Sequence, residues 1–195
     1  TDRRSAELIK YAANGFLATR ISFANTMEQL CDQLGADVES VMRGAGLDRR
    51  VGTAFFRAGL GFGGSCFPKD VASLIHEGQR AGVGMDLLEA VVAVNDVLPA
   101  LYIDQLRDSL GHLAGRSVTV LGLAFKADTD DVRDSRALVL IRALVEAGAT
   151  VRVFDPQAME TAHEALNGLP VFYGGSALAA CRGADALVIA TEWPE

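Results

Sequence analysis

Cysteine and histidine are scarce in this chain, and both are scattered. The 195 residues contain three cysteines, Cys31, Cys66 and Cys181, and three histidines. An odd number of widely spaced cysteines does not form a disulfide framework, and the spacing of the Cys and His residues fits no zinc motif. We therefore expect neither disulfides nor a bound metal.

Long apolar runs and an excess of positive charge are also missing. No run approaches the roughly 20 residues that span a membrane, and no signal-peptide pattern opens the chain. Asp and Glu outnumber Lys and Arg by 25 to 18, which argues against a nucleic-acid or membrane partner. We expect a cytoplasmic protein. Because the chain starts without Met and stops after the strand-like "ALVIAT", we also expect a piece of a larger one.

Hydrophobic residues make up half of the chain, which predicts an ordered core. In the first part they recur at helical spacing. The predicted helices cover 5–34, 37–42, 68–81 and 85–113, with Pro99 as a kink or restart in the last one. A loop rich in glycine and arginine fills 43–66.

The pattern changes after "GHLAG". Strands at 117–122 and 150–155 flank a helix over 134–149, capped by Asp134 or Ser135, and so form a β-α-β unit. Further helices are predicted at 157–166 and 176–182, and further strands at 170–173 and 186–191. The turn "GLAFKADTDDVRDS" keeps only Gly122 of a dinucleotide fingerprint, so a nucleotide would be held there by other contacts.

The predicted fold class is thus α followed by α/β. An all-helical domain (1–84) is joined by a long helix (85–114) to a Rossmann-like parallel-sheet domain (115–195).

Cys66 lies in "GFGGSCFPKD", a polar setting that is unusual for a structural thiol. The glycines let the backbone approach a ligand closely, Pro68 starts a helix just beyond the thiol, and Lys69 adds positive charge. A helix N-terminus and an ammonium both favour the thiolate, which indicates a nucleophile; an inert thiol in a turn is the alternative. Asp70 is a candidate base.

Lysine is as rare as cysteine: the chain has fifteen arginines but only Lys10, Lys69 and Lys126. A retained lysine suggests a need for a compact ammonium, although chance explains it as well. Lys10 and Asn14 are four residues apart on one helix and share a face. They could stabilise an oxyanion, or they could belong to a solvated helix face.

Four segments together resemble the UDP-glucose/GDP-mannose dehydrogenase family, and the resemblance covers essentially the whole chain. They are "AELIKYAANGFLATRISFANTMEQLC", "GFGGSCFPKD", "GLAFKADTDDVRDS" and "ADALVIATEW". The resemblance implies the family's central helical domain and most of its UDP-binding domain, without the N-terminal dinucleotide-binding domain. It also implies an NAD-dependent, two-step oxidation of a nucleotide sugar at C6, through a thiohemiacetal and a thioester on Cys66.

The resemblance also implies roles for single residues. Lys10 and Asn14 would hold the C6 oxygen, and Asp70 would position or activate water. Arg50 would reach the substrate site of a second subunit in a homodimer. The other substrate-binding positions would be Phe55, Arg57, Gly61, Phe62, Gly63, Phe125 and Lys126, and Lys69 and Arg133 would contact NAD.

The choice of sugar depends on few positions. Phe67 in "SCFPKD" favours UDP-glucose over GDP-mannose, and Ser65 disfavours the aminosugar branch, whereas Arg57 replaces a lysine of some members. The alternatives are a sibling acting on GDP-mannose or UDP-N-acetylmannosamine, and a non-catalytic nucleotide-binding and dimerisation module.

Overall fold

A computed structural model describes residues 1–194 and divides the chain into two compact units, Thr1–Leu98 and the residues from Pro99 onward. The first unit is helical and the second contains a parallel sheet, so the predicted fold class is confirmed. The domain boundaries proposed above, at 84/85 and 114/115, stay a prediction.

The first unit contains helices α1 (Arg3–Leu34), α2 (Val38–Gly46) and α3 (Phe67–Arg80), and α4 (Asp86–Leu110) starts in it. Asp2 caps α1 by accepting from the Ser5 N–H, and Gly35 ends the helix at φ 66°, a conformation that favours glycine. Helix α4 continues through Pro99 without a restart.

The predicted end of α2 at residue 42 is wrong, because the helix continues to Gly46. Glycine lowers helix propensity, and for this reason the sequence pattern suggested a loop. Packing decides otherwise: a Cβ on Gly46 would lie 2.8 Å from Cγ2 of Thr53, so only glycine lets the loop approach the helix this closely.

Small apolar clusters contribute to the core of the first unit, and two of them lie near the segment before Cys66. One contains Ala18, Phe62, Val71, Leu88 and Val91, which belong to α1, α3, α4 and the segment before α3. The other contains Ala24, Met42 and Phe56. The segment that precedes Cys66 is therefore packed into the core through Phe62.

The second unit contains β1 (Ser117–Leu121), α5 (Arg136–Glu146), β2 (Thr150–Phe154), α6 (Met159–Ala165), β3 (Val171–Tyr173), α7 (Ala177–Cys181) and β4 (Ala186–Ile189). All strand pairs are parallel, in the order β3-β2-β1-β4. The chain therefore adds β2 and β3 on one side of β1 and then adds β4 on the other side. Open α/β sheets bind ligands at such a point, where the strand order reverses.

The core of the second unit is more complete. Two central strands and α5 contribute side chains with no exposed surface: Val118, Val120, Leu140, Ile141, Leu144, Val151 and Val153. Burial of such side chains is the main stabilising contribution to a small α/β unit.

Cys31 and Cys181 lie in apolar helical patterns, which predicts that both belong to the core. Cys31 is buried, whereas Cys181 is only partly buried. The prediction was too strong for Cys181, because α7 is a short helix of 5 residues with one buried side chain. No helix among residues 1–194 is long and apolar enough to cross a membrane.

Candidate active site

Cys66 is the residue immediately before α3, and it is exposed. Pro68 stands in the first helical turn, as predicted, and the Cys66 carbonyl accepts the Asp70 N–H at 2.8 Å. Cys66 thus lies at the N-terminal end of α3, the positive end of the helix dipole. Ser65 Oγ lies 3.8 Å from Cys66 Sγ.

Asp70 connects three of the predicted site residues. Its carboxylate has no exposed surface, and its Oδ2 accepts from Asn14 Nδ2 at 2.7 Å and pairs with Lys10 Nζ at 3.1 Å. Lys69 Nζ lies 3.2 Å from the other oxygen, Oδ1. Helices α1 and α3 therefore bring Lys10, Asn14 and Asp70 together within hydrogen-bonding distance.

The pKa values of this cluster indicate a stable ion pair. Burial raises the pKa of Asp70, but the hydrogen bonds from Lys10, Asn14 and Lys69 more than offset burial, so this pKa lies below its ordinary value. The hydrogen bond and negative charge of Asp70 in turn raise the pKa of Lys10, and Cys66 contributes less. Near neutral pH the cluster holds an ionised carboxylate and a protonated ammonium.

The glycine segment before Cys66 is held by two buried asparagines. Asn95 Oδ1 on α4 accepts the Phe62 N–H at 2.7 Å, and its Nδ2 donates to the Phe62 carbonyl at 3.1 Å. Asn25 Oδ1 on α1 accepts the Gly59 N–H at 2.7 Å. Gly61 (φ 100°) is required, because its Cβ would lie 2.3 Å from Asn95 Oδ1. Gly63 belongs to the same segment and is partly buried.

The loop between α2 and α3 presents the other predicted substrate residues of the first unit. Phe55 and Arg57 are exposed, and the Phe55 ring lies 5.9 Å from that of Phe67. Arg50 is also exposed, and its guanidinium pairs with Asp48, with Nη2 2.6 Å from Oδ2. In the single chain, Arg50 is therefore at the surface and bound to its own loop.

In the second unit, the loop after β1 is fixed by a buried carboxylate. Asp155 Oδ2 accepts the N–H groups of Leu123 and Ala124 at 2.6 and 3.1 Å, and also the Trp193 indole at 3.1 Å. Its Oδ1 accepts the N–H groups of Gln157 and Ala158. Burial raises the pKa of Asp155, but the hydrogen bonds from the four backbone N–H groups more than offset burial, so this pKa lies below its ordinary value.

The crevice between β1 and β4 is closed by the chain itself. A Cβ on Gly122 would lie 2.4 Å from the Thr191 Cβ, and Thr191 Oγ1 donates to the Ala124 carbonyl at 2.7 Å. Ser135, at the N-cap of α5, donates its hydroxyl to the Leu123 carbonyl at 2.7 Å. These contacts fix the end of β1 against the segment after β4.

The predicted ligand contacts of the second unit lie on this rigid loop or beside it. Phe125 is half-buried and Lys126 is exposed, with the ammonium 5.6 Å from the centre of the Phe125 ring. Arg133 is exposed and pairs with Asp131, with Nη2 2.7 Å from Oδ2. The structure thus places a flat ring and two cations at the surface of the second unit.

Comparison with known proteins agrees with this architecture. The "UDP-glucose/GDP-mannose dehydrogenase family, central domain" matches residues 4–97, and the "UDP binding domain" of the same family matches residues 119–195. The chain belongs to the UDP-glucose/GDP-mannose dehydrogenase family.

Individual family members show how much of the fold is shared. UDP-glucose 6-dehydrogenase TuaD of Bacillus subtilis (strain 168) is 47% identical over 195 residues, which are 100% of this chain and 42% of that protein. The UDP-glucose dehydrogenase structure from Pyrobaculum islandicum superposes with a TM-score of 0.95 at 47% identity, over 100% of this chain and 45% of that one. A UDP-D-ManNAc dehydrogenase structure from Pyrococcus horikoshii gives 0.84 at 30% identity, over 100% and 43% of the two chains.

This member of the family spans less than half the length of the relatives it matches. The matched regions are the central and UDP-binding domains, so the activity of a whole dehydrogenase is a proposal for this chain.

Sequence reasoning missed the residues that hold the two loops, above all Asn95 and Asp155. Asn95 is a polar residue in an apolar helical run, "AVVAVNDVLPAL", four positions before Pro99. Asp155 ends a buried strand and precedes Pro156. Each is a buried polar residue, and a buried polar group must find a partner. The sequence pattern could therefore have identified Asn95 and Asp155 as hydrogen-bonded residues, but it could not have identified the loop that each one holds.

Proposed function

We propose that this chain is the catalytic and UDP-binding part of an NAD-dependent UDP-glucose 6-dehydrogenase. The observation that carries the proposal is the cluster around Cys66. Asp70 lies within hydrogen-bonding distance of Lys10 and Asn14, and the exposed Cys66 stands at the N-terminus of the helix that carries Asp70. A nucleophile next to an ammonium and an amide donor is the arrangement required for acyl chemistry at a carbonyl carbon.

The proposed reaction oxidises the C6 alcohol to a carboxylate in two steps. NAD⁺, when bound, would accept one hydride in each step, so two NAD⁺ would be consumed per sugar. The alcohol first loses a hydride and a proton to become an aldehyde. Cys66 Sγ would then add to the aldehyde carbon, with the thiol proton ending on the aldehyde oxygen, to form a thiohemiacetal. This intermediate would lose a second hydride to NAD⁺ and its hydroxyl proton to solvent, and so become a thioester. Water attacks the thioester carbon, the C–S bond breaks, and the acid and the Cys66 thiol are released.

Lys10 and Asn14 donate to the C6 oxygen as negative charge develops on it. The proposed role of Asp70 is to hold these two donors and to orient the attacking water. Its lowered pKa and complete burial make it a weak proton acceptor, so an electrostatic and positioning role fits it better than that of a general base.

The residues proposed to contact NAD have the right chemistry for it. Lys69 and Arg133 are exposed cations, with side chains 63% and 69% accessible, and each is paired with a carboxylate. A cation that is already oriented by a carboxylate can bind a phosphate at the surface.

A UDP-sugar is the proposed substrate. The match to the family's UDP-binding domain supports this, as do the aromatic ring and ammonium of Phe125 and Lys126 on the rigid loop after β1. In the first unit, Phe55, Arg57 and the segment Gly61–Gly63 are proposed to line the sugar site. UDP-glucose is favoured over the sibling sugars because named UDP-glucose 6-dehydrogenases match the whole chain at 44 and 47% identity.

A homodimer in the cytoplasm is proposed as the working form, with Arg50 reaching the neighbouring substrate site. The exposed position of Arg50 on the loop between α2 and α3 supports a contact with a second subunit. Subunit mixing tests it. Complete Cys66→Ser and Arg50→Ala enzymes should each be inactive or weak alone and should regain activity when mixed under exchange conditions. Additive, unrestored activity would contradict the shared site.

The decisive experiment uses the complete enzyme, which includes the dinucleotide-binding domain. UDP-glucose, GDP-mannose and UDP-N-acetylmannosamine are supplied separately, and NADH is counted per sugar by absorbance. Two NADH per UDP-glucose, with the other sugars inert, are expected. NADH produced with another sugar would support the same mechanism but would assign the enzyme to the family members that act on that sugar. No NADH from any sugar would favour a non-catalytic binding and dimerisation module.

The isolated chain of residues 1–195 is predicted to reduce no NAD. The test is the same absorbance assay on the purified chain. Detectable NADH would show that the chain itself holds the cofactor and would overturn the assignment of NAD binding to a further domain.

A further inference from the structure

Arg20 is an extensively bonded side chain of the first unit that the proposed chemistry does not use. It lies on α1, and its guanidinium donates to three backbone carbonyls of one loop: Nε to Ala54, Nη1 to Val51 and Nη2 to Gly52, each at 2.8 Å. The five N–H donors of arginine have a fixed planar geometry, so three simultaneous bonds define the position of the loop relative to α1.

The same guanidinium also packs on an aromatic pair. Its central carbon lies 4.6 Å from the centre of the Phe56 ring, and this ring stacks on Phe23 of α1 at 5.9 Å with an interplanar angle of 4°. Phe56 is buried in the cluster with Ala24 and Met42. The loop is therefore attached to α1 by a cation–π contact and by hydrogen bonds at the same point.

The loop needs such support because its backbone is strained. Phe55 has φ 55° and Gly52 has φ 69°. A left-handed conformation is common for glycine but unfavourable for phenylalanine, and it persists only where the surroundings enforce it. Arg20 binds the carbonyl of Ala54, directly before Phe55, and the carbonyl of Gly52, so it acts on both left-handed positions.

We propose that Arg20 is a positioning residue for the substrate loop, which we define as residues 48–57. It fixes the conformation in which Arg50, Phe55 and Arg57 are presented to the nucleotide sugar. This inference rests on the proposed function, because it gives the loop a substrate to bind. It assigns Arg20 no contact with the reacting atoms.

The test measures steady-state kinetics of the complete enzyme with Arg20→Ala, Arg20→Lys and, as a matched control, Arg4→Ala on the same helix. Arg20→Ala should raise the KM for the nucleotide sugar by at least about tenfold, as expected for the loss of several charged hydrogen bonds. The KM for NAD should stay within about twofold, because the loop holds the sugar and not the cofactor. Arg4→Ala should match the wild type.

The Arg20→Lys variant distinguishes the effect of positioning from the effect of charge. It also tests the proposal if Arg20→Ala does not fold. Lysine keeps the charge, but one ammonium cannot reproduce a planar fork over three carbonyls, so at least about a threefold rise in the sugar KM is expected. Wild-type kinetics of Arg20→Lys would overturn the proposal, and so would equal rises in both KM values. If the wild-type enzyme reduces no NAD with any sugar, the proposed function fails and this inference with it. An active enzyme that Arg20→Ala leaves unchanged contradicts the Arg20 role alone.

Discussion

The two units of the chain each bury one carboxylate completely, but they surround it with different partners. Asp70 in the first unit is bound by three side chains, two of them lysines whose side chains are 60% and 63% exposed. Asp155 in the second unit is bound by four backbone N–H groups and the Trp193 indole. Both pKa values are lowered.

The difference shows what each carboxylate can do. Lysine side chains that are more than half exposed can turn from Asp70 to a ligand without moving the backbone, so they stay available for the proposed chemistry. Backbone N–H groups cannot leave Asp155 unless the loop after β1 or the turn after β2 changes its conformation. In the proposed function, the second unit therefore supplies a binding surface held by backbone hydrogen bonds, and the first supplies side-chain donors for a reaction with developing charge.

The largest effect is expected at Cys66. Cys66→Ser in the complete enzyme should lower net acid formation by more than about 1000-fold, because no thioester can form without the thiol. Binding of the UDP-sugar, measured by calorimetry, should stay nearly intact. Unchanged turnover would show that Cys66 is an inert thiol and would contradict the chemical role proposed for the first unit.

The next effect separates the two carboxylates directly. Asp155→Ala leaves several buried N–H groups without an acceptor and should lower the free energy of unfolding by at least about 3 kcal/mol, measured by urea denaturation. Asp70→Ala is the matched variant and should cost less stability, because its exposed lysines become hydrated, but it should lower turnover in the complete enzyme. Equal stability losses would contradict the comparison.

A smaller loss of stability is expected from Gly122→Ala. The residue has φ 89°, and the new Cβ would lie 2.4 Å from the Thr191 Cβ, so backbone strain and overpacking should together cost about 2 kcal/mol. Gly175→Ala serves as the control in the same unit, since nothing lies within 4 Å of its Cβ position. If both variants unfold at the same urea concentration, the crevice between β1 and β4 is not closed as described.

The smallest effect is a dependence on acid pH. Because the folded pKa of Asp70 and of Asp155 lies below the unfolded value, each contributes stability that is complete above the unfolded pKa of about 4. That stability is lost as the pH falls through the folded pKa. The free energy of unfolding should therefore decrease below about pH 4, and less steeply in Asp155→Asn. A slope unaffected by this substitution would place the acid sensitivity elsewhere.

Much of the fold could be predicted from local patterns. The long helix ending at Gly35, the helix after Cys66 and the β-α-β unit are all present, because each has a clear apolar period and a clear end signal. The end of α2 was missed because glycine propensity pointed to a loop, whereas contact with Thr53 decided the outcome. Cys181 was overestimated as a core residue because periodicity in a short helix says little about burial.

The sequence by itself determined the order of helices and strands, the location of the unusual cysteine, and the pairing of Lys10 and Asn14 on one helical face, since these depend on neighbours within a few residues. Only the tertiary structure decided that Asp70 binds Lys10 and Asn14, that Asn95 and Asp155 hold the two loops, and that Arg20 fixes a strained turn. These contacts join residues at least 31 positions apart. Such contacts form only when separate elements pack together, and no local period encodes them.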